Sequence, residues 1–190
     1  MKKLKTYTRV IVFLCALAMI PANFVSVWQI ILEAPQYPEG LKMEIWSHKI
    51  AGDVNNINGL NHYIGMAQIK EENFPEFKVM PYMIWIMVFL AALTALVGRR
   101  FLLWTTASYL LFCGAWGIYD FWRWEYEYGH NLNPHAAIRI PGMAYQPPLF
   151  GWKQLLNFLA GSFPDTGGYL IIVPAVVIVG LLVIEQFRKK

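Results

Sequence analysis

The sequence predicts an all-α integral membrane protein: four transmembrane helices, two long extracytoplasmic loops and a short interfacial helix. Three observations predict it. Of the 190 residues, 57% are hydrophobic and only 15% are charged, against about 25% charged in a soluble domain. Four apolar runs approach the roughly 20 residues that a membrane helix needs. The charges are also sorted along the chain as the positive-inside rule requires. The length suits a single membrane domain, residues 1–190, with no room for a large soluble one.

The first span covers about 10–32, behind Lys2, Lys3, Lys5 and Arg9. A basic start and an apolar run ending at Pro21 also suit a signal peptide. The apolar character continues through Phe24, Val25, Val27, Trp28 and Ile30 to Leu32, so a retained helix is expected. The second span covers about 82–98 and follows Pro81, whose missing N–H costs nothing at a helix start. The third covers about 101–119 and the fourth about 169–184. Loops of about 33–81 and 120–168 lie between them. Within the second loop, Trp152 to Ala160 reads as the interfacial helix, with Leu155, Leu156 and Leu159 on one side.

Charge sets the orientation. The N-terminus, the Arg99-Arg100 turn and the C-terminus hold nine Lys or Arg and one acid, Glu185. The two loops hold seven Lys or Arg and eleven acids. Both termini therefore belong in the cytoplasm of a bacterial inner membrane, with the loops outside. The pI near 9.0 then reflects topology and contact with anionic membrane lipid, and it does not argue for nucleic acid.

The spans themselves offer little chemistry. They contain no histidine, and their acids, Glu33, Asp120 and Glu185, stand at the ends. A haem held by histidines within the bilayer is excluded, and a proton or ion relay would need ionisable groups at depth. Cys15 and Cys113 sit in different spans at different depths, so they read as packing residues and no disulfide is expected.

Outside the spans, His48, His62, His130 and His135 accompany Met66 and Met143. Imidazole and thioether ligands suit copper, and thioethers favour Cu(I). His62 and Met66 would share one face of a helix. The bland alternative is that these histidines cap and hydrogen-bond within polar loops. The run Asp120 to His130 carries Trp122, Trp124, Tyr126 and Tyr128 at the outer interface, where such rings anchor a span. A quinone headgroup pocket is the functional alternative there. Arg123 and Glu127 could bridge if the helix continues outward. The stretch Ile140 to Pro148 is too proline-rich for helix or central strand. It reads as an extended strap, either packed on the bundle or offering Tyr145, Gln146, Pro147 and Pro148 to a docking partner.

Four loop strings carry a family resemblance: Ala34-Pro-Gln-Tyr-Pro-Glu-Gly-Leu41, Ile57-Asn-Gly-Leu-Asn-His-Tyr-Ile-Gly-Met66, Tyr128-Gly-His-Asn-Leu132 and Pro141-Gly-Met-Ala-Tyr-Gln-Pro-Pro148. Across essentially its whole length the chain resembles a family of small four-span membrane proteins associated with nitrous oxide reductase accessory gene clusters. The resemblance implies an accessory protein serving a periplasmic copper enzyme or its assembly proteins. The loops have no cysteine and no Met-rich run, which favours docking over independent copper trafficking. The alternatives are a quinol-linked electron-transfer subunit and a purely structural subunit. No nucleophile–base pair, paired carboxylates or phosphate loop suggests an enzyme.

Overall fold

The computed structural model describes residues 3–138 and 140–187. Lys2, Arg139, Arg188, Lys189 and Lys190, which enter the charge count, lie outside the described residues. The elements run α1 (Thr6–Met19), β1 (Trp28–Ala34), β2 (Tyr37–Ile45), β3 (Ile50–Gly52), α2 (Val54–Ile64), α3 (Met80–Val97), α4 (Arg100–His130), β4 (Gly151–Leu155), β5 (Phe158–Pro164) and α5 (Thr166–Phe187). Four stretches, Thr6–Asn23, Met80–Val97, Arg100–His130 and Thr166–Phe187, are long and apolar enough to cross a membrane. Pro81 opens α3 within its first turn, as the sequence suggests.

The fold is not all-α. The two loops meet in one five-stranded antiparallel sheet of order β3-β2-β1-β5-β4. The chain leaves α1 through a 3-10 turn, Ile20–Asn23, and the apolar run that follows is β1, not more helix. Its residues alternate. Ile30 is buried on one face, while Gln29 and Glu33 point to the other. The predicted interfacial helix over 152–160 is instead the β4–β5 hairpin, turning at Leu156-Asn157 between Leu155 and Phe158. Spaced leucines imitate a helical stripe there, but hydrogen bonding of β5 to β1 along Trp28–Glu33 decides the conformation.

One sheet face is dry. Ile30, Leu41 and Met43 pack with Ile57 of α2 and with Ile69, flanked by Trp28, Phe74, Phe121, Trp124 and Tyr128. Directly paired residues share a face, so Ile31, Gly161 and Trp152 form a row on the opposite side.

The bundle beneath packs Val12, Ala16 and Met19 of α1 with Met87, Ala91, Leu103, Ala107, Leu110 and Ile178. Cys15 and Cys113 join that cluster. Buried polar pairs lie within it: Thr94 Oγ1 lies 2.8 Å from Thr106 Oγ1, and the Thr8 hydroxyl donates to Glu185 at 2.8 Å. Arg9 donates to the carbonyls of Ala95 and Leu96, both at 2.8 Å, so it caps the C-terminal end of α3. Gly114 and Gly117 have nothing within 4 Å of where a Cβ would stand, so they do not serve a helix contact within this chain.

The register yields a paired test. Ile30→Ala should cost about 2–5 kcal/mol, the range for truncating a buried Ile, and visibly lower the melting temperature. Ile31→Ala, on the half-exposed face, should cost much less. Equal losses would contradict the assigned register.

Candidate functional site

The most distinctive chemistry lies in the seam between the dry sheet face and the outer half of α4. At 1.5 Å per residue this 31-residue helix is about 46 Å long, some 16 Å more than a bilayer's hydrocarbon core. Its outer stripe is Phe121, Trp124, Glu125 and Tyr128, the i, i+3, i+4, i+7 spacing of one helix face. Aromatic members of that stripe pack on one another: Trp124 stacks 6.0 Å from Phe121 and lies tilted 4.9 Å from Tyr128. Glu125, the one acid in the stripe, is 0% exposed.

The strap closes the seam. The Tyr145 amide donates to the Gly129 carbonyl at 2.9 Å. A Cβ on Gly129 would stand 2.5 Å from the Gln146 Cα and N. Only glycine lets the strap lie so close to the helix. Behind it a cavity of about 40 Å³ remains, lined by residues including Asn61, Met66, Trp124, Glu125, Tyr145 and Pro147. Both Glu125 carboxyl oxygens, Asn61 Nδ2, Trp124 Nε1 and the Tyr145 hydroxyl are buried with no hydrogen-bond partner among the described residues. Buried polar groups are normally satisfied, so four orphaned side chains around one cavity are exceptional. Burial pushes the Glu125 carboxyl up to about 8, and the nearby Lys153 ammonium offsets only part of that rise.

Most of the sequence candidates stand elsewhere. His48 is exposed in the β2–β3 turn, edge-on to Trp46 at 6.2 Å. His62 is exposed on α2. That helix ends at Ile64, and Gly65 turns left-handed with φ +82°, so Met66 lies beyond the helix and not on its His62 face. His130 ends α4, stacked 3.9 Å over Tyr126. His135 is an exposed loop residue, and Met143 is half-buried in another turn. Among the described residues no three His, Cys, Asp or Glu groups converge as metal ligands would. Only Met66 of the six copper candidates reaches the seam.

The aromatic run divides by face. Trp122 and Tyr126 are exposed and packed together at 5.5 Å. Trp124 and Tyr128 turn into the seam. Arg123 pairs with Asp120 at 2.9 Å and Glu76 at 3.0 Å, and its salt bridges do not include Glu127. In the strap, Tyr145 is 2% exposed, while Gln146, Pro147 and Pro148 are half-buried. Gln146 accepts a hydrogen bond from Lys153 Nζ at 2.9 Å.

Two further features lay outside the sequence candidates. An open groove of about 350 Å³ lies at the sheet end furthest from the bundle, lined by residues including Glu33, Tyr37, Glu39, Gln154 and Asn157. On the Ile31 side of the sheet, Lys42, which pairs with Ile31, bridges Glu44 and Asp165, each at 3.1 Å. Burial alone would raise the Asp165 carboxyl, but the Thr166 amide and Lys42 outweigh it and hold it below its usual value.

Comparison of the chain with protein-family models, curated proteins and solved structures finds no match.

The contact at Gly129 is directly testable. Gly129→Ala forces the strap off α4, and overpacking of this kind costs about 1–3 kcal/mol. The variant should melt lower and become susceptible to proteolysis between Met143 and Pro148. Arg123→Ala, which removes only exposed ion pairs, should change stability by less than about 1 kcal/mol.

Proposed function

We propose that the chain is a membrane-anchored accessory subunit of the bacterial inner membrane. Its four apolar helices cross the bilayer with both termini inside, and the sheet unit stands outside to engage a partner protein. The observation that carries this reading is the separation of the chain into two parts. Within the apolar helices, buried hydroxyls and an acid pair with one another, at Thr94–Thr106 and Thr8–Glu185. The sheet, all four histidines and the acidic groove gather beyond one end of the bundle. Such an arrangement mounts and presents a surface without supplying a path through the membrane.

The partner we propose is a periplasmic copper enzyme of the nitrous oxide reductase system, or one of its assembly proteins, on the strength of the four loop strings. The open groove between Glu33 and Glu39 would receive a basic segment of that partner. All four histidines are exposed, which is what a copper contact shared between two proteins demands. The strap, wedged behind Gly129, serves to brace the seam. The quinol-linked alternative would use the exposed Trp122 and Tyr126. The seam cavity, about 40 Å³, is far below the roughly 300–1,000 Å³ of organic-ligand pockets. Quinone or haem copurifying with the chain would promote that alternative.

Affinity purification from native membranes in mild detergent tests the proposal. An envelope protein should copurify, and it should be lost from a Glu33→Lys, Glu39→Lys double variant. Recovery of the chain without any partner would overturn the docking role. Orientation is tested separately by a membrane-impermeant thiol reagent on intact cells. It should label Asn55→Cys on α2 and spare Lys5→Cys until the membrane is permeabilised.

A further inference from the structure

We propose that the seam is a proton-binding site, in which Glu125 sits as a neutral carboxylic acid beside the buried polar groups of Asn61, Trp124 and Tyr145. The geometry points to this before any titration is considered. Glu125 has no exposed surface and, among the described residues, no hydrogen bond or ion pair. Its neighbours across the cavity include Ile30, Leu32, Met43 and Phe158, none of which can stabilise a charge. An isolated ionised carboxylate in such surroundings is strongly disfavoured, and the group takes up a proton instead.

The cavity of about 40 Å³ offers the charge no relief, because its wall is apolar and apolar cavities stay dry. Asn61 Nδ2 and Trp124 Nε1 only donate, whereas the Tyr145 hydroxyl and a protonated Glu125 can donate and accept. A bare cation would complement only the acid and would face two N–H donors.

Among the described residues, the charged and titratable groups around Glu125 are few. From β4 comes Lys153, held by the Gln146 carbonyl at 2.9 Å. The strap offers Tyr145 and α4 offers Tyr128, while the facing lining residues of α2, β1, β2 and β5 carry no titratable group. The raised carboxyl, about 8 where 4.5 is ordinary, agrees with this setting. Over that window the folded chain holds a proton that the unfolded chain has released. Stability is therefore greatest at the acid end and falls as pH rises toward 8, where the emerging charge pushes α4 and the sheet apart. Glu125 thereby makes the tightness of the seam depend on proton activity in the compartment around the sheet.

Infrared titration of the full chain in detergent tests the assignment, with Glu125→Gln and Glu185→Gln as controls because Glu185 is the other buried glutamate. A protonated-carboxyl band should be present at about pH 6, disappear near pH 8, be missing from Glu125→Gln and persist in Glu185→Gln. The melting temperature of the parent chain should fall between about pH 6 and about pH 9, while that of Glu125→Gln should stay nearly level. A carboxylate already ionised at pH 6, with or without a metal ion against it, overturns the proposal. So does a band that vanishes with Glu185→Gln. If Glu125→Gln does not fold, the parent and Glu185→Gln titrations decide: a band that persists in Glu185→Gln and is lost near pH 8 supports the site, and its absence refutes it.

Discussion

The pairing of β1 with β5 is the constraint on which the rest of the structure depends. Six consecutive residue pairs, from Trp28↔Pro164 to Glu33↔Leu159, join segments from opposite halves of the chain. The Trp28 indole adds a hydrogen bond to Ser162 Oγ at 2.8 Å. Without this ladder the β1–β2 and β4–β5 hairpins would be two separate appendages, and isolated hairpins are marginal in water. The same ladder ties sheet to bundle. The Gly167 amide donates to the Ser26 carbonyl at 2.7 Å, and the Asp165 amide to Val27 at 3.1 Å. A Cβ on Gly168 would stand 2.3 Å from the Val27 oxygen, so α5 starts hard against the strand entry.

Helix α4 carries that rigidity into the seam. Its lower half is a bundle helix whose Leu103, Ala107, Leu110 and Cys113 face the other apolar helices. Its upper half swaps that contact for Trp28, which meets Phe121 at 5.5 Å, and for the sheet beyond. One continuous helix thus serves two environments, and the polar orphans gather where the second begins. Arg123, on the outward side, fastens this half to Glu76 in the connection before α3.

How much of this was legible in the sequence differs from element to element. The apolar helices were readable from composition, because a bundle with lipid-like outer surfaces needs no periodicity to announce itself. The strands were partly readable. Leu41, Met43 and Ile45 alternate with Lys42, Glu44 and Trp46 in plain period two, yet β1 merges with the preceding helical run into one apolar stretch. What decides its conformation is a partner strand in the other half of the chain, and no local pattern reports that. The seam had one local signal. Glu125 interrupts an otherwise aromatic stripe at helical spacing, and an acid there must either be paired or lose its charge. Asn61 had none, since its burial depends on how α2 lies across the sheet. The histidines were conspicuous by residue type, but the fold scatters them.

The late position of β5 has a consequence for how the molecule is made. The residue of β5 that pairs with Ile30 is Ser162, so β1 leaves the ribosome long before its partner exists. At about 5–20 residues per second the wait is on the order of ten seconds. Throughout it the edge of β1 that belongs to β5 stands open, with its amides and carbonyls unpaired. Open strand edges invite association with other chains. A newly made copy therefore passes through a period of vulnerability that ends only when its last strand and last helix arrive, and truncation near the C-terminus would prolong it without limit.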